Sequence, residues 1–397
     1  MLDLAERVAS GREIADIPNG AYTSHGRVVL NDLRPPIADL DELSFPDFAF
    51  QEEYLLDREG NLVPNIGMRD TEKILFSGSR GCNNNCAYCS NAQLKAIYGG
   101  NVRYARKMSV PAFLNAVREC RRHFPKVKQF YFTDEDFLAR SVDGMREFAE
   151  TYPSAVGVPF EIMASPRNAT QEKVALAAKA GLRKIDVGIE SGSERTRREV
   201  FNRYIDDETQ MRAALTISKH KEVIAFYFLI LGNPYEKRQD LLDGIRILQK
   251  IPSPFYLQTY NLVFIPGTKL FDKACEDGII NGICDSAYEM DFLAGFDHKG
   301  YEWKRKNLYL NSFMQLMSGK STRMRMGYVP RMFIPALTNK QMVDFCDKYP
   351  RIGESIMWQA NFVQHFVCRL RRDAKDLAAV ALLYRRIVQG FKRFLPV

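Results

Sequence analysis

Between residues 73 and 264, short apolar runs alternate with amphipathic stretches. Six runs have the length and the β-rich composition of strands, at residues 73–79, 128–134, 159–165, 184–190, 223–231 and 258–264. Five stretches with helical spacing of apolar residues lie between them, near residues 109–122, 141–151, 171–181, 208–220 and 236–250. Strands that alternate with helices predict an α/β fold in which helices cover a parallel sheet.

The two ends of the chain have a different pattern. Residues 1–70 are rich in turn signals and predict a linker-like N-terminal segment with one short strand, whereas residues 71–285 form the core. Residues 286–397 are predicted to be mostly helical. The last stretch, residues 361–397, carries eight Lys and Arg against two Asp, for which we favour a solvated helix face over an anionic partner.

Composition narrows the class of protein. The chain has 56 Lys and Arg against 48 Asp and Glu, a net charge of +8, which is too small to indicate a nucleic-acid partner. The N-terminus lacks the features of a secretion signal, and the longest apolar run, residues 223–231, is about half the length of a membrane span. We therefore expect a cytoplasmic protein without a transmembrane segment.

Polar residues follow the predicted strands where each strand ends. In parallel sheets these ends meet at one edge, which is where ligands bind. The residues at this edge, in chain order, are Cys82, Asp134, Glu135, Asp136, Ser165, Arg167, Glu190, Ser191, Gly232 and Gly267.

Three of the eight cysteines, Cys82, Cys86 and Cys89, lie within eight residues with C-x3-C-x2-C spacing. A structural zinc site needs four ligands, but the next cysteine is Cys120, and the next histidine, His123, lies at the far end of a predicted helix. A disulfide is disfavoured in a reducing compartment. An iron–sulfur cluster fits best, and three thiolates on a cubane cluster leave one iron open to another ligand.

This cysteine spacing, with Tyr88 before the last cysteine, resembles the radical S-adenosylmethionine (SAM) superfamily. The stretches "FYFTDEDF", "KIDVGIESGSERTRREVFNR", "LGNPYE" and "IPGTKLFDKACEDGI" are similar to the branch that usually carries an N-terminal cobalamin-binding domain. The resemblance spans roughly residues 10–285. It implies a partial (β/α)6 TIM-like barrel and a [4Fe-4S] cluster that cleaves SAM to a 5′-deoxyadenosyl radical. That radical would abstract hydrogen from a small-molecule, lipid or natural-product substrate, with an electron donor such as flavodoxin or ferredoxin.

The resemblance also implies roles for individual side chains. Cys82, Cys86 and Cys89 would bind the cluster, and Asp134 or Glu135 would accept hydrogen bonds from the amino group of SAM. The other implied contacts are Glu190 and Ser191 for the ribose or methionine part of SAM, Arg203 for its carboxylate, Ser165 for the ribose or the substrate, and Gly232 and Tyr88 for the adenine. Some have an alternative: helix capping for Asp134 and Glu135, a surface arginine for Arg203 and a core aromatic for Tyr88. Gly192 and Gly267 are interpreted equally well as turn residues.

The cobalamin domain of this branch is not recognised in the sequence. Its D-x-H-x-x-G motif would hold a histidine at cobalt, and none of the five histidines lies in such a motif. The domain then belongs to a longer form of the chain or to another polypeptide, or else the chain works without cobalamin.

Two other functions would share part of this pattern. Enzymes of the same superfamily that methylthiolate tRNA bring an extra N-terminal cysteine-bearing domain and a C-terminal β-barrel, and neither is recognised here. A non-catalytic iron–sulfur partner would not need the SAM-contact motifs.

Overall fold

The computed structural model describes residues 2–46, 48, 54–64, 71–99, 103–285 and 306–349. The basic stretch at residues 361–397 lies outside these residues. Eleven α-helices are described: α1 Leu2–Ala9, α2 Ser90–Tyr98, α3 Val110–His123, α4 Val142–Ala155, α5 Gln171–Ala180, α6 Asp207–Ser218, α7 Arg238–Lys250, α8 Lys269–Glu276, α9 Leu308–Leu316, α10 Ile334–Leu337 and α11 Lys340–Lys348.

Fifteen strands are described in the same ranges. They are β1 Ala21–Ser24, β2 Arg27–Leu30, β3 Tyr54–Leu56, β4 Leu62–Pro64, β5 Lys73–Phe76, β6 Ser79–Arg80, β7 Arg106–Lys107, β8 Gln129–Phe132, β9 Phe160–Ala164, β10 Leu182–Glu190, β11 Ile224–Leu231, β12 Phe255–Asn261, β13 Gly319–Ser321, β14 Arg325–Met326 and β15 Val329–Pro330. A π-helical turn, Thr196–Val200, follows β10. No helix among the described residues is both long and apolar enough to cross a membrane.

The chain divides into two compact units. The first comprises Met1–Ala164, Glu172–Arg183 and Ile265–Lys273, and the second comprises Ser165–Gln171, Lys184–Phe264 and Ala274–Val397.

In the first unit, β5, β8 and β9 pair in parallel, so that Phe76, Phe132 and Ile162 share one row. A cluster of phenylalanine rings packs on these strands. The rings of Phe113 and Phe132 meet edge to face at 5.0 Å, and those of Phe132 and Phe160 lie 5.3 Å apart. All three rings are fully buried, and such pairs add about 0.5–1.5 kcal/mol each beyond the burial of their area.

In the second unit, β10, β11 and β12 pair in parallel, and β13 adds an antiparallel edge. Burial alternates along β11: Tyr227 and Leu229 are buried, whereas Phe226 and Phe228 are partly exposed. The partly exposed face is aromatic, because Phe226 stacks on Tyr256 at 4.6 Å and Phe228 contacts Tyr260 at 5.6 Å.

The predicted α/β alternation is confirmed, with four of the strands, β8 to β11, within two residues of their predicted bounds. Expectations for four other segments were incomplete. β5 ends at Phe76, three residues before the predicted end, and the N-terminal segment contains α1 and the strands β1 to β4 where one short strand was predicted. β12 begins three residues before the predicted start, and the described part of the C-terminal region contains strands as well as helices. The division into segments 1–70, 71–285 and 286–397 stays a prediction.

Candidate functional site

The three cysteines lie in the loop 81–89, which connects β6 to α2. The loop begins at Gly81, whose φ of +77° lies in the left-handed region, and a Cβ there would come within 2.6 Å of the Tyr104 carbonyl oxygen. Only glycine meets both conditions. The loop ends at Cys89, which precedes the first residue of α2 and whose amide donates to the Cys86 carbonyl at 3.1 Å.

The cysteine side chains share a half-buried environment. Cys86 is buried, and Cys82 and Cys89 are partly exposed. Burial raises the pKa of the Cys82 and Cys89 thiols, and the nearby Cys86 and Glu135 raise it further. The Asn84 amide and its side-chain nitrogen lie 3.4 and 3.6 Å from Cys82 Sγ, so both point donors at this sulfur.

The chemistry of this donor set, three thiols in one loop, fits an iron–sulfur cluster. Within the ranges that the structure describes, no three His, Cys, Asp or Glu side chains converge as ligands of one metal ion. A cubane cluster does not need such convergence, because each thiolate binds a different iron. Hydrogen bonds to the sulfurs, like those from Asn84, are among the features that set the reduction potential of such clusters. Binding would release the thiol protons.

The two predicted carboxylates after β8 have opposite surroundings. Asp134 is fully buried, whereas Glu135 is exposed and accepts a hydrogen bond from the Asn91 side chain at 2.9 Å. Since Glu135 acts electrostatically on Cys82 and Cys89, it lies beside the cysteine loop. Of the two, Glu135 is the one placed to meet a cationic ligand there.

Asp134 holds the backbone that leads into the cysteine loop. Its carboxylate accepts from the Gly78 amide at 3.1 Å and lies 3.7 Å from the guanidinium of Arg140. Arg140 in turn lies over the rings of Phe113 and Phe137, at 5.2 Å from each centroid. A Cβ at position 78 would come within 2.3 Å of Phe113, so this approach requires glycine.

In the second unit, Glu190 and Arg203 lie together at the end of β10. Glu190 has a φ of +65°, and its carboxylate is 3.9 Å from Arg203, which also donates to the Gly188 carbonyl at 3.0 Å. The carboxylate folds back over Gly188, where a Cβ would lie 2.2 Å from it. A side chain at position 188 would displace this carboxylate, which is the movable end of the Glu190 side chain.

The other predicted residues are placed as follows. Ser165 is buried after β9, and its hydroxyl has no hydrogen-bond partner among the described residues. Gly232 has a φ of +68° and donates its amide to the Asn311 side chain at 3.1 Å. In the first unit, Tyr88 is partly exposed within the cysteine loop. Gly192, for which a turn was an equally good interpretation, lies in a bend after β10 and also against α7, because a Cβ there would lie 2.1 Å from Gly244 Cα.

Sequence reasoning missed a buried polar group around Ser191, which we call the 191–240 cluster: Ser191, Ser193, Arg195, Glu236 and Asp240. Ser191 donates to Glu236 at 2.8 Å, and Ser193 donates to Asp240 at 2.6 Å. Asp240 also accepts from Arg195 Nε at 3.1 Å. Its hydrogen-bonded partners lie up to 47 residues apart in the chain, so no local spacing would have revealed them.

The two carboxyl groups of the cluster are in different electrostatic states. Burial raises the pKa of Glu236 to about 7, and Asp240 adds to this effect, although the Ser191 hydrogen bond opposes it. Burial also acts to raise the pKa of Asp240, but hydrogen bonds from Arg195 and Ser193 outweigh it, so this pKa lies below the usual range.

Comparison with known proteins identifies the segment that holds these residues. Residues 76–245 match the sequence profile of the Radical SAM superfamily. This segment is a radical SAM domain. The match includes the cysteine loop and the 191–240 cluster, and it confirms the resemblance inferred from the cysteine spacing.

Relatives of the radical SAM domain include methyltransferases. An uncharacterised methyltransferase of Pyrococcus horikoshii is 25% identical over 287 residues, which cover 70% of this chain and 56% of that protein. The radical SAM methyltransferase TsrM of Kitasatospora setae, solved with cobalamin and a [4Fe-4S] cluster, has a TM-score of 0.53 at 14% identity, covering 69% of this chain and 52% of TsrM. A second TsrM structure, with tryptophan and a SAM analogue, has a TM-score of 0.50 at 16% identity, with the same coverage.

The likeness to TsrM shows the fold, and it confirms the predicted partial TIM-like barrel. The chain spans about half the length of these relatives.

Proposed function

We propose that this chain is a radical SAM enzyme that binds a [4Fe-4S] cluster through Cys82, Cys86 and Cys89. With SAM, a cluster of this kind supplies one electron that cleaves SAM to methionine and a 5′-deoxyadenosyl radical, which abstracts hydrogen from a substrate. The observation that carries the proposal is the cysteine loop itself. It holds three thiols inside a radical SAM domain, and Glu135 lies near enough to raise the pKa of two of them, Cys82 and Cys89.

Individual side chains in each unit support roles in SAM binding. Glu135 would accept hydrogen bonds from the ammonium group of SAM, a charge-assisted contact that suits an exposed carboxylate beside the thiols. Arg203, held by the Gly188 carbonyl and near Glu190, would pair with the SAM carboxylate. The Ser165 hydroxyl, buried without a partner among the described residues, would bond the ribose.

The aromatic face of β11 and β12 supports a small substrate with an apolar or planar body. Phe226, Phe228, Tyr256 and Tyr260 stay partly exposed on this face, although burial is usual on both sides of a parallel sheet. Aromatic linings with a few polar groups are typical of sites for small molecules. A lipid or a natural-product scaffold would meet this description.

We further propose methyl transfer as the net reaction, with cobalamin supplied by a separate domain and electrons by a flavodoxin or ferredoxin. The support is the description of the relatives as methyltransferases, in one case with cobalamin bound.

The cluster is tested by anaerobic reconstitution with iron and sulfide. We expect about four irons per chain, absorbance of an iron–sulfur cluster, and 5′-deoxyadenosine on addition of SAM and reductant. C82A, C86A and C89A each lose the cluster. The matched control is C275S, which changes a partly exposed cysteine in the second unit and keeps the iron content. Equal iron in C86A and C275S would contradict the proposal.

Methyl transfer is tested with the reconstituted protein and small-molecule extracts, with and without hydroxocobalamin. S-adenosylhomocysteine that forms only when cobalamin is supplied supports it. Formation of 5′-deoxyadenosine unaffected by cobalamin, with no S-adenosylhomocysteine, would leave radical generation in place and exclude this net reaction.

A further inference from the structure

The orientation of the Ser191 hydroxyl is set by Glu236. The hydroxyl donates its proton to Glu236 Oε1 at 2.8 Å and accepts from the Ser193 amide at 3.2 Å. A serine hydroxyl has one proton and two lone pairs, so only one lone pair remains for a ligand. While Glu236 stays in place, Ser191 therefore acts as an acceptor only, which suits the donation of a hydrogen bond by a ribose hydroxyl.

The positively charged groups that face Glu236 are bound to other acceptors, so they would not neutralise a second negative charge beside Asp240. On the neighbouring helix α7, Asp240 is itself negative, and Arg195 is committed to Asp240 and to the Tyr235 carbonyl. Arg197 donates to the carbonyls of Ser191 and Ile205 and pairs with Asp207. Before α9, Lys306 and Asn307 contact the backbone carbonyls of Pro234 and Glu236, not the carboxyl group.

Glu236 is 2% exposed, and no described residue lies within ion-pair distance of it. Neither its Oε2 atom nor the hydroxyl of Thr196 makes a hydrogen bond of normal geometry among the residues described, although this hydroxyl faces the carboxyl group and acts to lower its pKa. An isolated ionised carboxylate in such a position is costly, and the usual outcome is that the group takes up a proton. The pKa of about 7, raised first by burial, agrees with this geometry.

We propose that Glu236 is a positioning residue that holds Ser191 for SAM as a neutral carboxylic acid and loosens this hold when it loses its proton. Ionisation would leave a buried charge next to Asp240. Water that enters would hydrate the charged carboxylate. It would also separate residues 191–195, which we call the Ser191 loop, from the segment Gly232–Glu236. The part that concerns SAM rests on the proposed function, whereas the proton on Glu236 is a property of the chain alone.

The sign of the pH dependence follows from the raised pKa. The folded chain keeps a proton on Glu236 that the unfolded chain has released, so the contribution to stability falls as pH rises from the usual value of a glutamic acid to about 7. SAM affinity is expected to fall above that pH, because the fraction of competent protein decreases.

Calorimetric titration of SAM into the reconstituted protein tests this at about pH 6.5 and about pH 8. For the wild type we expect the apparent Kd to rise about tenfold across this interval. E236Q is neutral at both pH values and keeps an acceptor for Ser191, so its affinity should stay near the wild-type value at pH 6.5. E236A should bind weakly at both. The control E208Q changes an exposed glutamate on α6 and should follow the wild type.

Ionisation of SAM itself affects all of these proteins equally. A wild-type Kd that does not change with pH, or an E236Q profile that matches the wild type, would overturn the proposal.

A second measurement needs neither SAM nor the variant. The infrared C=O band of a protonated carboxylic acid, assigned by isotope-labelled glutamate in the cluster-free wild type, should disappear with a midpoint near pH 7. Absence of this band at pH 6 would overturn the proposal even if SAM bound well. If no SAM bound to any of the proteins while the band was present, the proposed function would fail and the neutral state of Glu236 would stand.

Discussion

The cysteine loop of the first unit and the 191–240 cluster of the second unit both carry predicted SAM contacts or their supports, yet they are built in opposite ways. The loop keeps its functional groups within nine residues, and two of its three thiols stay partly exposed. The cluster joins side chains from two distant segments, and all but Arg195 are nearly fully buried. The cysteine loop therefore leaves its thiols available to bind a ligand. In the 191–240 cluster, the side-chain hydrogen-bond donors bind acceptors within the cluster.

This difference predicts which property each substitution changes. Substitutions in or beside the 191–240 cluster should lower the free energy of unfolding, and substitutions in the cysteine loop should change ligand binding at nearly constant stability. The five substitutions below test this contrast, from the largest expected effect to the smallest.

Replacing Arg197 should have the largest effect. Its side chain is fully buried and donates to the carbonyls of Ser191 and Ile205, both at 2.8 Å, and to Asp207. R197M keeps the length of the side chain but leaves these acceptors unmatched, which should cost about 3–5 kcal/mol in urea unfolding. R212M, which removes an exposed pair with Glu208, should cost less than about 0.5 kcal/mol. A loss below about 1 kcal/mol in R197M would break the contrast.

G192A should cost about 2–3 kcal/mol, because the new Cβ would lie 2.1 Å from Gly244 Cα and backbone atoms cannot move aside easily. The control is G278A. Position 278 also resists alanine through its φ of +66°, but it has open space around it and should cost only about 1 kcal/mol. Thermal unfolding of the cluster-free proteins gives the comparison, and equal shifts would show that the contact with α7 carries no weight.

The neighbours Asp134 and Glu135 test the contrast inside the first unit. D134N weakens the link between Gly78 and Arg140 and should lower stability by about 2 kcal/mol. E135Q should leave stability unchanged and weaken SAM binding about tenfold, since a charge-assisted hydrogen bond is lost. Unfolding curves and calorimetry separate the two effects. A tenfold loss of SAM affinity in D134N with normal stability would restore Asp134 as a direct SAM contact.

N84A should have the smallest effect. It removes the longer of two donors to Cys82 Sγ and leaves the backbone donor in place. We expect a cluster potential that is more negative by tens of millivolts at most, with unchanged unfolding, measured by redox titration of the reconstituted protein. N83A, at an exposed neighbouring position, serves as the control. A large loss of stability in N84A would mean that the loop is held more like the 191–240 cluster than we infer.

The strands were predictable where their apolar runs are long. The buried runs of β10 and β11 exceed seven residues and leave little doubt about their bounds. The start of β12 was placed too late, because Phe255, Tyr256 and Leu257 follow a proline-rich turn that the sequence presents as a loop. β13 has only the residues Gly319–Ser321, and it is a strand because β12 pairs with it.

The site was predictable in the same uneven way. The three cysteines were predictable from their spacing, because the ligands of such a cluster lie close together in the chain. Asp134 and Glu135 have different roles because the Asp134 side chain turns inward towards Arg140. The sequence shows two adjacent acidic residues and does not indicate which of them is buried. Glu236 lies in the stretch "LGNPYE", which resembles the radical SAM family. Its contact with Ser191 was not predictable, because Ser191 is 45 residues away in the chain.

The contact between Gly192 and Gly244 bears on motion in the second unit. At this point the Ser191 loop and α7 meet through backbone atoms, with no side chain between them that could change its rotamer. No flexible side chain could therefore rearrange at this contact to let the loop slide past the helix. If ligand binding displaces the Ser191 loop, α7 has to travel with it as a rigid lever, and the displacement would be carried along the length of the helix to Lys250.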